Sequence, residues 1–201
     1  MSCFTPETMI QTVDGEQPVE WLEKGVRVIT RDHGAQPIRA IIRVTRTPAW
    51  FAENPDQCPV EIARGGLDHE FPLDCLRLGG NHRMLLRDSM SELYFGFNEV
   101  LVPLRAWGAG DFMRHVVPEG PVTFTYLIFE QHEIIQAEGV WVESFFPDAQ
   151  SMASLDTAQG QAVMDIMDKN VHAARQVLTL PEAELVVRPL QRIEEPNALT
   201  A

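Results

Sequence analysis

Cys3 is the residue whose type and position most directly suggest chemistry. It opens a strand-like stretch, Phe4-Thr5-Pro6-Glu7-Thr8-Met9-Ile10-Gln11-Thr12-Val13, that runs into Asp14-Gly15. A thiolate is a competent nucleophile, and one placed where the chain begins points at the peptide bond just before it, Ser2–Cys3. Attack on that bond needs two proton movements. A thiol of pKa about 8.5 must lose a proton, and the amide nitrogen must gain one as it leaves. A histidine beside that nitrogen can deliver the proton, and the chain has six. The plainer reading of Cys3 is a small apolar residue buried at a strand start, as most free cysteines are. Position alone favours the plainer reading; the rest of the chain points to the other.

The other cysteines, Cys58 and Cys75, add no second chemistry. An odd number at irregular spacing is not a disulfide framework. The absence of any Cys-x-x-Cys pair argues against a zinc site. A Cys58–Cys75 bridge and two buried thiols both remain open. The net charge of -13, from 16 Lys and Arg against 29 Asp and Glu, repels phosphate. This argues against nucleic acid and anionic membrane surfaces as partners. No apolar run reaches the roughly 18 residues needed to cross a bilayer. The first residues lack the basic start and apolar core of a secretory signal. The expectation is a soluble chain without a visible export address, cytoplasmic or secreted within a larger protein. Nothing in the sequence asks for a metal or an organic cofactor.

The elements that would position Cys3 are short strands. Residues 7–13 turn at Asp14-Gly15, a hairpin signal because both residues tolerate positive φ. A single helical turn fits 18–25, with proline at its start and glycine at its end. Strands follow over 26–31, 37–46, 59–63, 75–78, 83–86, 100–102, 122–129, 133–136 and 140–144, by alternation and β-branched content. Residues 94–97 read as a further short segment, 103–107 as one helical turn, and 47–57 as a loop broken by Pro48, Asn54 and Pro55. His33 is a turn residue and His69 a solvated loop residue. Beyond Pro147 the pattern changes. Leu155, Val163, Ile166, Met167, Val171, Ala174 and Val177 recur at helical spacing, with Asp156 as N-cap and His172 on the solvent face. Leu185-Val186-Val187 fits a short strand, and Glu194-Glu195-Pro196-Asn197 a frayed end. The fold class is mainly β, with a β domain over 3–147 and a helical extension over 148–201 that offers a surface for homodimerisation.

Three segments carry a family resemblance. The first is Cys3-Phe4-Thr5-Pro6-x-Thr8-x-Ile10-x-Thr12-x-x-Gly15-x-x-Pro18-Val19-Glu20-x-Leu22, followed by Val28-Ile29-Thr30-Arg31-Asp32-x-Gly34-x-Gln36-Pro37-Ile38-Arg39. It resembles the opening of a Hint (hedgehog/intein) domain, nearest to the bacterial stand-alone or appended branch. Leu76-Arg77-Leu78-x-x-x-His82-Arg83-Met84-Leu85-Leu86 resembles the segment bearing that family's first histidine. Phe129-Glu130-Gln131-His132-Glu133-Ile134-Ile135, with Ala137-x-Gly139 and Glu143-Ser144-Phe145, resembles the closing segment with the second. The resemblance implies the Hint fold and a self-acting, single-turnover reaction. Cys3 attacks the Ser2 carbonyl in an N-to-S acyl shift, and the thioester is then cleaved. It also implies that His82 serves the scissile amide nitrogen and that His132 is a second acid–base group near Cys3. The substrate is the chain's own N-terminal flanking segment.

Departures from the family pattern bear on activity. Glu7 stands at a usual glycine, Val26 at a usual aspartate, and Gly79 at a usual threonine or serine whose hydroxyl helps hold the scissile amide. Thr125 is the nearest match to an intein's activating acidic residue. The closing block ends in Glu143-Ser144 in place of the intein His-Asn pair. Asparagine cyclisation, and with it splicing, is therefore not expected. Only Met1 and Ser2 precede the nucleophile. This leaves three readings: a longer natural N-terminal partner, a product of completed cleavage, or a catalytically silent Hint-fold module for binding or assembly.

Overall fold

The computed structural model describes residues 2–67, 70–108, 112–168 and 170–193. The described residues hold fourteen short strands, thirteen of them within the first 143 residues: β1 (Met9–Thr12), β2 (Gly15–Pro18), β3 (Arg27–Thr30), β4 (Gly34–Pro37), β5 (Ala40–Arg46), β6 (Val60–Ile62), β7 (Leu76–Leu78), β8 (Arg83–Arg87), β9 (Glu99–Pro103), β10 (Met113–His115), β11 (Val122–Ile128), β12 (Ile134–Ala137), β13 (Val140–Glu143) and β14 (Gln176–Val177). Among the described residues they form a nine-stranded sheet, a three-stranded sheet and a two-stranded pair. The large sheet runs β14-β9-β8-β13-β12-β1-β3-β4, with β2 paired to β1. The small sheet runs β10-β6-β7, and β5 pairs with β11 over seven residues each.

Every pairing is antiparallel except β14 with β9. The mainly β expectation holds. No helix among the described residues is long and apolar enough to cross a membrane.

The core has two parts, and β11 contributes to both because side chains alternate across a strand. Leu127 faces a cluster with Phe4, Ile10, Val28, Leu76, Leu78, Met84 and Val142. Phe124, Tyr126 and Ile128 face a second cluster with Cys3, Ile42, Phe51, Cys58 and Phe145. That second cluster is closed by Val163 and Met167 from the C-terminal extension. Fully burying such a side chain contributes about 1.5–3 kcal/mol, so the extension is an integral layer over Cys3.

The helices depart from the sequence expectations. Pro48, read as a breaker, is the first residue of α1 (Pro48–Glu53), with Thr47 accepting the Trp50 N–H as N-cap. Residues 94–95 end α2 (Ser89–Phe95), capped by Asp88 and closed by Gly96 at φ 77°. The extension begins with α3 (Ala149–Met152) and α4 (Thr157–Ile166). Asp156 caps α4 as expected, in a reciprocal box with Gln159. The helix stops at Met167, which is extended, so Val171 to Val177 lie outside it. Leu155, Val163, Ile166 and Met167 still pack on the β core as their spacing predicts. Leu185-Val186-Val187 is helical, within α5 (Leu180–Ile193). Cys58 is buried but Cys75 is exposed, and both are free thiols. His69 and residues 194–197 lie outside the described residues.

Glu7 adopts φ 70°, which explains the glycine usual there: the left-handed region costs an L side chain about 1–2 kcal/mol. Allowing for glycine's larger backbone entropy, Glu7→Gly is expected to raise stability by roughly 0.5–1 kcal/mol. A higher denaturation midpoint at unchanged m-value would show it.

Candidate active site

Phe4 threads a seam between two sheets. It bridges Leu78 of β7 on one side and Thr125 of β11 on the other. Its N–H and C=O both bond Thr125, at 2.9 and 2.8 Å. This clamp holds Cys3 fully buried. The Cys3 carbonyl accepts the Gly79 N–H at 3.2 Å and meets His82 Nδ1 at 3.0 Å.

His82 lies just ahead of β8, and its ring edge packs against Phe4 at 4.9 Å between centroids. Its Nε2 meets the Glu143 carbonyl at 2.9 Å. The register that pairs Val142 with Met84 brings the end of β13 beside the start of β8. Glu143, the last residue of β13, is thereby placed among four polar groups. Its Oε1 accepts the Ser2 hydroxyl at 2.6 Å and the Arg83 backbone N–H at 3.1 Å. Its Oε2 accepts Arg83 Nη1 at 3.0 Å and lies 3.5 Å from His132 Nε2. Arg83 also reaches Asp148 at 2.6 Å.

His132 precedes β12 and is buried against Phe146. Its Nδ1 accepts the Ala174 N–H at 3.0 Å. That donor leaves the ring proton on Nε2, directed toward Glu143, although the 3.5 Å separation does not make a hydrogen bond. Ala174 belongs to the extension, which thus sets the tautomer of His132. A cleft of about 460 Å³ lies beside it, lined by Asp32, His33, Asp168, His172 and Arg175 among others.

The electrostatics follow from burial. Burial pushes the Cys3 thiol up to about 12; the chain's amino terminus, the Gly79 amide and the Tyr126 hydroxyl pull back only weakly. Burial likewise lowers His82 to about 4, against the opposing pull of the Glu143 carboxylate and the two carbonyls. The ring is therefore neutral at pH 7, yet it faces two acceptors. A neutral imidazole donates to one and turns a lone pair to the other. A protonated ring would donate to both carbonyls, but burial outweighs that gain and keeps the ring neutral. Burial alone would raise Glu143, but His132, Arg83 and His82 more than offset it and hold the carboxyl at about 2.

Both shifts are downward from the ordinary 6.5 and 4.5. Each group therefore stabilises the fold above its unfolded pKa and loses that contribution as pH falls through its folded one. Stability should fall between pH 6.5 and 4 through His82, then between 4.5 and 2 through Glu143, by roughly 3 kcal/mol each. His33, raised by its Glu133 partner, works in the opposite sense. Denaturation midpoints across this range, with His33→Asn to remove the opposing group, would check it.

A family model described as a Hint domain matches residues 2–149. The chain belongs to the Hint family. As a Hint domain it is an autoprocessing-type module. Among solved structures it is similar to the bacterial intein-like domain from Clostridium thermocellum, at 11% identity over 72% of this chain and 99% of that one, TM-score 0.49. It is similar also to a DnaB intein from Synechocystis sp. PCC 6803, at 11% identity over 72% and 99%, TM-score 0.42. No curated protein matches the chain.

Of the three residues singled out in the sequence, His82 contacts Cys3 directly, whereas His132 approaches them only through Glu143, 3.5 Å from its Nε2. His82 lies against Cys3, but its bond is to the carbonyl oxygen, whereas the amide nitrogen was expected. The sequence reading missed Glu143 as the group linking both histidines to Ser2, and Arg83 as its counter-charge. The available signal was an acidic residue closing an otherwise apolar strand, Val140-Trp141-Val142-Glu143, opposite a His-Arg pair. Gly79, at the usual hydroxyl position, contributes its backbone N–H to the Cys3 carbonyl and does not adopt positive φ.

Proposed function

We propose that this Hint domain cleaves the Ser2–Cys3 peptide bond through a thioester, without splicing. The Cys3 sulfur attacks the Ser2 carbonyl carbon. The C–S bond forms, the C–N bond breaks, and the thiol proton is balanced by the proton taken up on the departing Cys3 nitrogen. Water or another nucleophile then displaces the sulfur, which regains a proton. His82, neutral at rest, takes up the proton that the thiol releases and passes it to the departing nitrogen, an acid–base relay of the kind that typically contributes about 10²–10⁴-fold. His132, held by the Ala174 N–H, is the second acid–base group, and the Glu143 backbone carbonyl orients the His82 ring. The observation that carries this reading is the buried chain of contacts from Cys3 through His82 and Glu143 to Ser2, whose carbonyl is the one to be attacked.

A thiol near 12 and a histidine near 4 both rest in their neutral forms. Thiol deprotonation must therefore accompany attack, and basal turnover is slow. Those same values, with Gly79 in place of a hydroxyl, favour the second reading, a silent Hint module. Fusing a reporter protein ahead of Ser2 separates the two. Release that dithiothreitol accelerates and Cys3→Ala abolishes supports processing; a folded fusion that releases nothing supports the silent module.

A further inference from the structure

Ser2 is the residue on the acyl side of the bond, and it is not a free end. It is 1% exposed. Its hydroxyl donates to Glu143 Oε1 at 2.6 Å, and Glu143 is itself fully buried. We propose that Glu143 forms a recognition pocket for the residue preceding Cys3, and that this pocket selects serine. The acyl donor is then a polypeptide ending in serine. As a statement about processing, this rests on the reading above.

The selection follows from how the Glu143 carboxylate is used. Oε1 has two donors, the Ser2 hydroxyl and the Arg83 N–H; Oε2 has Arg83 Nη1. Alanine at position 2 would take one donor from a buried anion, where hydrogen bonds to charge weigh most. Aspartate would set a second carboxylate against the first. The Arg83 guanidinium is already shared between Glu143 and Asp148, so it has no charge to spare for a third anion. Ser2 is buried, so a larger side chain would have to displace its neighbours. The hydroxyl bond also fixes the Ser2 side chain, so Glu143 acts as a specificity and positioning residue.

Two arms test this. In reporter fusions of the full chain, Ser2→Ala should slow release about 10–100-fold, the loss of one hydrogen bond to a charged acceptor, and Ser2→Asp should slow it more than about 100-fold. Equal rates for serine and alanine would overturn the proposal. The second arm needs no cleavage. Ser2→Asp in the unfused chain should lower Tm by on the order of 5–10 °C, and adding Glu143→Gln should recover part of that loss. If Ser2→Asp melts with the parent, Glu143 does not hold residue 2 and the proposal fails. A parent fusion that never cleaves counts against processing alone, and the melting arm then decides recognition by itself.

Discussion

Glu143→Ala is expected to cost the fold about 3–5 kcal/mol, the usual penalty for removing one partner of a buried ion pair. The carboxylate is fully buried and is where Ser2, Arg83 and His132 converge. Without it the Ser2 hydroxyl and the Arg83 backbone N–H lose their acceptor, and the Arg83 guanidinium keeps only Asp148. For a chain of this size the loss corresponds to a drop in Tm of about 10 °C. Glu143→Gln keeps an acceptor for Ser2 and most of the shape, so it should cost less. Thermal and denaturant unfolding of both variants would show the difference. Equal, small losses would mean that the carboxylate charge is not what holds the site together.

His82→Ala has the largest expected effect on chemistry. With the reporter fused ahead of Ser2, thioester formation should slow by about 10²–10⁴-fold, while stability falls by only about 1–3 kcal/mol from the one buried hydrogen bond that the neutral ring donates. The ratio is the informative quantity. A structural histidine would lower stability by that amount and change release only as far as the folded fraction falls. Because the ring now bonds the Cys3 carbonyl, it must shift to reach the amide nitrogen of the same residue. His82→Gln keeps a donor for one carbonyl but cannot carry the proton, so it should restore stability without restoring rate.

The Cys3–His82 end of the site was legible because it is written in contiguous residues. Cys3-Phe4-Thr5-Pro6, the segment around His82 and the segment around His132 each stand out within about ten residues. Their order matched a known arrangement before any contact was visible. Glu143 was not legible in that way. Its importance depends on the β8–β13 register, which sets it opposite Arg83, and on an N-terminal residue 141 positions away. The missed helices have a different cause. Pro48 is the first residue of α1 and Pro181 the second of α5, within the first turn, where proline is tolerated because those N–H groups are unpaired in any helix. Read as breakers or ignored, they hid the helices they start. In α5, Thr179 bonds the Glu182 carboxylate through both its N–H and its hydroxyl. Val186 and Val187, the β-branched pair that suggested a strand, are buried from the helix into the apolar core, and that packing overrides their strand preference.

The extension shows how much a sequence pattern can withhold. Its apolar spacing predicted a helix packing on the β core, and α4 does so. Spacing could not predict that the stretch after α4 would leave helical form and present the Ala174 N–H to His132. Nor could it place Ser154 against the hydroxyl of Tyr126, at 3.3 Å, beside the sulfur of Cys3.

The central claim is that Cys3 forms a thioester with the carbonyl of the residue before it. The direct measurement is mass spectrometry of the reporter released by hydroxylamine from the full-chain fusion. The account predicts a released reporter ending at Ser2 as a hydroxamate, a complementary fragment beginning with Cys3, and neither from the Cys3→Ala fusion. Release at another bond, release that survives Cys3→Ala, or an intact parent fusion that is demonstrably folded would contradict it.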